Sequence, residues 1–196
     1  MELTPAYMRE TSDCINEFIQ SDNWDQAEEL LLKNIDLFPD EYWLYTTLSE
    51  IYSGKREYEK AFIYSKKAME MNSTDILVIY NYAEGLLRFD KTWEAIKLFN
   101  RIINTDIEVI AYGKYGEGMK YAKSKINDSI ALLGYAYYDL KDNKRAQKYF
   151  TQHLENRKRG IYSDFRKKQI EKAFRRCLED CKKRRKKKVS EYSDKI

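Results

Sequence analysis

The chain has 196 residues, of which 36 are Lys or Arg and 32 are Asp or Glu, giving a formal net charge of +4. Hydrophobic residues make up 43%, enough for a continuous core, whereas two prolines and seven glycines are too few turn-forming residues for a fold of many strands. No apolar run approaches the roughly 20 residues of a transmembrane helix. The first residues show no secretory signal, and three cysteines do not make a disulfide framework. We therefore expect an all-α, cytoplasmic protein without a membrane span.

Four short helix-forming phrases recur in chain order: WDQAEELL, YEKAFIYS, WEAIKLFN and KRAQKYFT. Their alanines are Ala27, Ala61, Ala95 and Ala146. The first three stand 34 residues apart, and the fourth follows after 51, which is one period plus an insertion of 17. Apolar residues recur at three- and four-residue steps, the pattern of helices with one buried stripe. A small residue at the repeated site lets paired helices approach closely, so we predict a repeated helical hairpin.

This pattern resembles the tetratricopeptide-repeat (TPR) family, whose 34-residue unit forms a helix, a turn and a second helix. The fourth unit carries the family positions Ile130-x2-Leu133-Gly134-x2-Tyr137 with Ala146-x3-Phe150. The second unit carries nearly all of them, as Tyr45-x2-Leu48-Ser49-x2-Tyr52 with Ala61 and Ala68. The second, third and fourth units depart from the family where proline is common, at Ser73, Ile107 and Lys158 respectively. The resemblance implies a right-handed α-solenoid of about four hairpins.

The predicted organisation is a solenoid over residues 1–160, a basic capping helix over 161–188 and a tail over 189–196. The repeats are expected at about 8–41, 42–75, 76–109 and 127–160, with the insertion at 110–126. The insertion holds three of the seven glycines. A phosphate-binding loop would use glycines, but their spacing fits no such motif and no strand precedes them. An extended connection or a helix extension is favoured.

Catalysis needs a cluster of reactive groups, and the sequence offers few. The single histidine, His153, falls where it would pack within the last hairpin. Cys177 and Cys181 are four residues apart on a helix and, with His153, would make three zinc ligands, but the spacing matches no common zinc site. Packing is the favoured role for all three. We predict no enzyme activity, no cofactor and no metal.

The TPR resemblance also implies where a partner binds. In that family the first helices of the repeats line a concave groove that holds peptides. Of the residues with which the family binds chaperone tails, only Asn16 is matched in this chain. Binding of such an acidic tail is therefore not expected. The predicted groove is aromatic and mildly acidic, which favours a partner with apolar anchors and basic residues. The predicted groove residues are Asn16, Trp43, Glu50, Tyr80, Glu84, Tyr135 and Tyr138.

The charge is divided unevenly along the chain. Residues 161–196 carry 14 Lys or Arg and 6 Asp or Glu, a net of +8, so the preceding residues are net −4. Seven consecutive cations form a basic tail: Lys182, Lys183, Arg184, Arg185, Lys186, Lys187 and Lys188. A solvated end, nucleic-acid phosphates, an anionic membrane surface, nuclear import and the protein's own acidic groove all remain open as explanations. The sequence thus predicts a non-catalytic protein-binding scaffold, with a nucleic-acid-associated adaptor as the alternative.

Overall fold

A computed structural model describes the backbone of residues 4–193 and the side chains of residues 4 and 6–183. Within these residues every regular element is α-helical, which confirms the predicted fold class. The chain divides into two compact units between Lys91 and Thr92. This division falls between the two helices that the sequence assigns to the third repeat. We describe each unit by itself.

Unit 1 consists of five helices that pack successively along the chain. These are α1 (Pro5–Gln20), α2 (Trp24–Leu37), α3 (Tyr42–Gly54), α4 (Tyr58–Met71) and α5 (Ile76–Arg88). The helix α3 packs against α2, α4 and α5. Its buried face places Leu44, Leu48 and Ile51 in a cluster with Ala27 and Leu31 of α2. Burial of these apolar side chains is the main force that holds the helices together.

Unit 2 contains α6 (Thr92–Ile103), α7 (Ile107–Tyr112), α8 (Met119–Asp139), α9 (Asn143–Lys158) and α10 (Lys167–Ser193). Helix α8 packs against α6, α7 and α9, and α10 covers α9. The largest fully buried side chains are aromatic or branched aliphatic: Phe99, Ile102, Leu133, Phe150 and Ile170. Because α10 contributes Ile170 to this interior, it closes the unit as the sequence predicts for a capping helix.

The same turn ends α1, α3, α5 and α8. In α3, the N–H of Glu57 donates to the carbonyl of Tyr52 at 2.8 Å, and that of Arg56 donates to Ser53 at 3.1 Å. This pair of reverse bonds is the Schellman arrangement, which requires one residue in the left-handed conformation. Those residues, with φ near 60°, are Asp22, Arg56, Asp90 and Lys141. They stand 34, 34 and 51 residues apart, the same intervals as the repeated alanines.

The repeated small residues lie where paired helices touch. Ala27, Ala95 and Ala146 are fully buried, and Ala61 is half-buried. Helices α8 and α9 also approach closely, because a Cβ added to Gly134 would stand 2.6 Å from ring carbons of Phe150. A side chain at this position therefore conflicts with the packing of Phe150.

The insertion forms a short helix, a loop and an extension of α8. Helix α8 begins at Met119, before the repeat predicted to start at residue 127, so residues 119–126 lengthen the first helix of that repeat. Gly118 precedes it with φ 86°, a conformation that favours glycine. A Cβ on Gly116 would approach the Ala111 carbonyl oxygen to 2.4 Å, so the loop folds tightly back onto α7. The glycines thus have a structural role in the turn between α7 and α8.

We predict that Gly134→Ala lowers the free energy of unfolding by about 1–3 kcal/mol, because the added methyl group overpacks the contact with Phe150. The loss is expected even though alanine is the better helix former. Urea denaturation of both proteins measures the difference.

Combining Gly134→Ala with Phe150→Leu provides the control, because a smaller side chain at 150 makes room for the methyl group. The double variant should then lose less than the sum of the two single losses. Strict additivity would contradict the proposed contact.

Candidate functional site

Helices α3 and α5 of unit 1 present polar side chains on the faces turned away from their core. On α3, Glu50 is exposed, whereas Trp43 is half-buried because it also packs against the core cluster of unit 1. Asn81 on α5 donates its side-chain N–H to the Glu50 carboxylate at 3.0 Å, which joins the two helices at this surface. Helical periodicity produces this face, because the other side of α3 carries Leu44, Leu48 and Ile51 into the core.

Glu84 lies one turn beyond Asn81 on the same side of α5. Its carboxylate accepts a hydrogen bond from Arg88 at 3.1 Å. The Arg88 guanidinium also stands 4.1 Å from the centre of the Tyr58 ring, so this cation has two neighbours. Asn16 is exposed on α1. We use the term first-helix surface for Asn16, Trp43, Glu50, Asn81 and Glu84.

Tyr80 does not belong to this surface. Only 6% of the residue is exposed, so its ring is part of the interior. The sequence phase placed Tyr80 in the groove, but the burial of Ile79 and Ala83 beside it shows that α5 turns this side inward. Asn81, which the prediction omitted, takes its place next to Glu50. The one sign of it in the sequence is that Asn81 is a polar residue within the apolar run from Ile76 to Ala83.

The predicted groove residues of unit 2 are engaged by α10 and the loop before it. The Tyr135 ring meets Phe150 edge-on at 5.2 Å and lies 6.2 Å from Phe165. Burial raises the pKa of its hydroxyl. Tyr138 donates its hydroxyl to Asp180 of α10 at 2.8 Å, and this hydrogen bond is the main cause of its raised pKa. In unit 2 these tyrosines therefore hold the closing helix.

A buried carboxylate anchors the loop between α9 and α10. Asp128 of α8 is fully buried. It accepts hydrogen bonds from the Ser163 hydroxyl at 2.5 Å and from the backbone N–H of Asp164 at 3.2 Å. Nearby, the Asn127 side chain donates to the Tyr162 carbonyl at 3.4 Å. Nothing in the sequence around Asp128 indicates a partner 35 residues away.

Burial raises the pKa of Asp128 to about 7, because removal from water disfavours the charged carboxylate. The Ser163 hydrogen bond opposes this effect, and the Asp164 carboxylate adds to it. His153 is also fully buried, with Nδ1 2.9 Å from the Asn127 carbonyl oxygen. Burial lowers the pKa of His153. Its position in the hairpin interior is that of a packed core residue.

The two helical cysteines face α9. Cys177 is buried and its thiol donates to the Asn143 carbonyl at 3.4 Å, while Gln147 donates to Cys181 at 3.1 Å. Among the described residues no group of three or more His, Cys, Asp or Glu is arranged to hold a metal ion. In the same part of the chain, no helix has the length and hydrophobicity to cross a membrane.

Lys182 and Lys183 are exposed on α10. The side chains of Arg184, Arg185, Lys186, Lys187 and Lys188 lie outside the described residues. The basic character of α10 begins earlier, because Lys168, Lys172, Arg175 and Arg176 are all exposed as well.

Two regions match the sequence model of the tetratricopeptide repeat, residues 44–75 and 128–158. The first contains α4 and most of α3, and the second contains α9 and the repeat portion of α8. Both regions are therefore tetratricopeptide repeats. No curated protein sequence matches this chain.

Solved TPR structures share its fold at low sequence identity. A tetratricopeptide-repeat protein from Parabacteroides merdae matches with a TM-score of 0.53 and 18% identity, over 88% of this chain and 60% of that one. BtubC from P. vanneervenii gives a TM-score of 0.63 at 14% identity, over 94% and 82%. A putative kinesin light chain from Podosopora anserina, with nearly identical TPR-like repeats, gives 0.61 at 12%, over 95% and 92%. The chain thus spans about three fifths of the Parabacteroides protein.

We predict that Asp128→Asn changes how stability depends on pH. Between about pH 4, where an ordinary carboxyl titrates, and about pH 7, folded Asp128 binds a proton that the unfolded chain has released. Its contribution to stability therefore falls as pH rises through this window and is constant above it. The unfolding free energy of the variant, minus that of the wild type, should rise from pH 4 to 7 and then level off. Denaturation at a series of pH values measures it.

The lowered pKa of His153 acts in the opposite direction, but it is present in both proteins and cancels in the difference. Gln152→Ala, an uncharged change at an exposed position on α9, is the control and should give a flat difference curve. A flat curve for Asp128→Asn would show that the carboxylate is not perturbed.

Proposed function

We propose that this TPR protein is a non-catalytic scaffold that binds a peptide segment of a partner protein on the first-helix surface of unit 1. The observation that carries the proposal is the half-buried Trp43 on the same face as the Glu50–Asn81 contact, on adjacent first helices. The family match supports a general role in protein interaction.

The chemistry of this surface favours a particular kind of segment. An indole ring offers a large, rigid contact area and loses little entropy on binding. Glu50 and Glu84 place carboxylates on neighbouring helices, and Glu17 adds an exposed carboxylate on α1. A segment with one apolar anchor followed by Lys or Arg would complement both features.

The face of α8 in unit 2 is less suited to this role. Tyr135 and Tyr138 contact Phe165 and Asp180, so a ligand there would have to displace α10. Displacement would expose Ile170 and Cys177, which are fully buried. The cost of exposing this apolar area favours unit 1 as the binding surface.

We predict that peptides selected from a random displayed library on the full chain are enriched in aromatic or aliphatic residues next to Lys or Arg. Trp43→Ala should weaken a selected peptide by more than about 1 kcal/mol, as expected for a buried anchor. Replacing both Glu50 and Glu84 with Gln should also weaken peptide binding. This loss of affinity should be larger at low salt than at high salt, because salt screens the charges. Fluorescence polarisation of the labelled peptide measures each affinity.

The control pair is Asp36→Asn and Glu59→Gln, which removes the same charge from exposed positions on the second helices α2 and α4. It should leave the affinity unchanged. Equal affinity for wild type, Trp43→Ala and the Glu50 and Glu84 pair would refute the first-helix surface as the site.

A second candidate function rests on α10. Its solvent face carries Lys168, Lys172, Arg175, Arg176 and Lys183, all exposed. These positions recur at three- and four-residue steps, so they form one stripe along the helix. In the described part of α10, one carboxylate residue, Glu179, is exposed alongside them. A cationic stripe of this kind suits nucleic-acid phosphates, whose binding releases counterions.

If α10 binds nucleic acid, random DNA should bind at low salt and dissociate steeply as salt is raised. Replacing Lys168, Lys172 and Arg175 with Gln should then reduce the slope of log affinity against log salt by about 2 to 3, since each contacted phosphate contributes nearly one. Replacing exposed Lys66, Lys91 and Lys97 is the charge-matched control. Filter binding over a salt series distinguishes them, and identical slopes would eliminate this function.

A further inference from the structure

Unit 2 contains a basic cleft where the end of α9, the loop after it and the starts of α8 and α10 meet. The cleft has a volume of about 380 Å³. Four cations line it: Lys120 from the extension of α8, Arg157 and Lys158 from α9, and Lys167 from the first turn of α10. The rest of the wall is the loop segment 160–162, and no carboxylate belongs to the lining. Residues far apart in sequence thus bring like charges to one place.

The cleft is built on an anchored loop. Arg157 is half-buried, and its guanidinium donates to the Ser163 carbonyl at 3.3 Å. Ser163 is held by the buried carboxylate of Asp128. A guanidinium fixed in this way has fewer conformations to lose when it binds an anion with its remaining N–H groups. Arg157 is thus the anchored cation of the cleft, and the exposed Lys120, Lys158 and Lys167 surround it with further positive charge.

The cations of the cleft are incompletely neutralised by the protein itself. Within the described residues, neither Lys120 nor Lys158 has a carboxylate within the 4.0 Å of an ion pair. Lys167 has one distant partner, Glu171, at 3.8 Å. Because α10 begins at Lys167, the positive end of its dipole adds to the potential at the edge of the cleft.

An aromatic wall completes the cleft. Tyr162 is 55% exposed, and its ring centre stands 5.8 Å from the Arg157 guanidinium carbon. Ile161 beside it is half-buried. These groups offer apolar contact to whatever carries the anion, immediately beside the charges that would hold it.

We propose that this cleft binds a phosphomonoester dianion carried on a side chain of a partner protein. A monoester concentrates nearly two charges on three terminal oxygens at neutral pH, which suits a single cleft lined by four cations. Arginine pairs with such a group through two parallel hydrogen bonds. The site is separate from the first-helix surface and does not depend on the function proposed for it.

A nucleic-acid backbone fits the cleft less well. Its phosphodiesters carry one charge each and are spread along a strand. They are therefore matched by a row of cations along a surface and not by a cluster of cations in one cleft. The stripe on the solvent face of α10 has that form, and its residues Lys168, Lys172 and Arg175 are not part of the cleft lining.

The test uses the full chain and two labelled glycine–serine peptides of identical sequence, one with a central phosphoserine and one without. Only the phosphorylated peptide should bind, measured by fluorescence polarisation. The pair Lys120→Gln and Lys158→Gln should weaken it about tenfold or more, as expected for loss of charged hydrogen bonds. Arg157→Lys keeps the charge but removes the planar fork, and should also weaken it.

The control pair, Lys97→Gln and Lys144→Gln, changes the charge equally at exposed positions outside the cleft and should leave affinity unchanged. Equal binding of both peptides, or equal weakening by the control pair, would overturn the proposal. So would oligothymidine that binds more tightly than the phosphopeptide and is weakened by the cleft pair, since the cleft would then belong to a nucleic-acid site. Thermal melts of all variants establish that the fold is retained.

Discussion

The reversal of the chain after each first helix is the constraint on which the remaining structure depends. Two hydrogen bonds run back into the helix, and they close only if one residue enters the left-handed region, at Asp22, Arg56, Asp90 and Lys141. None of the four is glycine, so each turn retains some backbone strain that the adjoining packing must offset. The intervals between these residues equal those between the repeated alanines, so the turns and the helix contacts follow the same period. The position of the buried face on each helix therefore follows the same repeat period.

The parts of the structure that were predictable from sequence are those determined within one repeat. Ala27, Ala95 and Ala146 are buried, and His153 lies in the interior, because a helical period of 3.6 residues places them there. The errors concern contacts between neighbours. Tyr80 turns inward where a surface was expected, and the pairing of Asp128 with Ser163 joins elements 35 residues apart without a local signal. Such contacts depend on the rotation of each helix relative to its neighbour. The periodicity of a single sequence does not specify that rotation.

The two units use their first helices differently. In unit 1 the outward faces of α3 and α5 are joined by the hydrogen bond from Asn81 to Glu50. In unit 2 the corresponding face of α8 contacts Phe165 and Asp180, so it is covered by α10 and the loop before it. The aromatic residues that the sequence suggests for recognition there serve to close the stack. Similar composition on equivalent helices therefore does not imply an equivalent role, and the neighbouring element decides.

The length of α8 has a consequence for how such a repeat protein can acquire new surface. It has 21 residues, whereas α3 and α5 have 13 each. Because the additional residues precede the repeat, they leave the phase of Leu133, Gly134 and Tyr137 against α9 unchanged. Eight extra residues carry the helix about 12 Å further at 1.5 Å per residue, which brings Lys120 beside the α9–α10 loop. Helix elongation ahead of a repeat is thus a modular change, by which a chain can gain a new surface while every existing interface keeps its register.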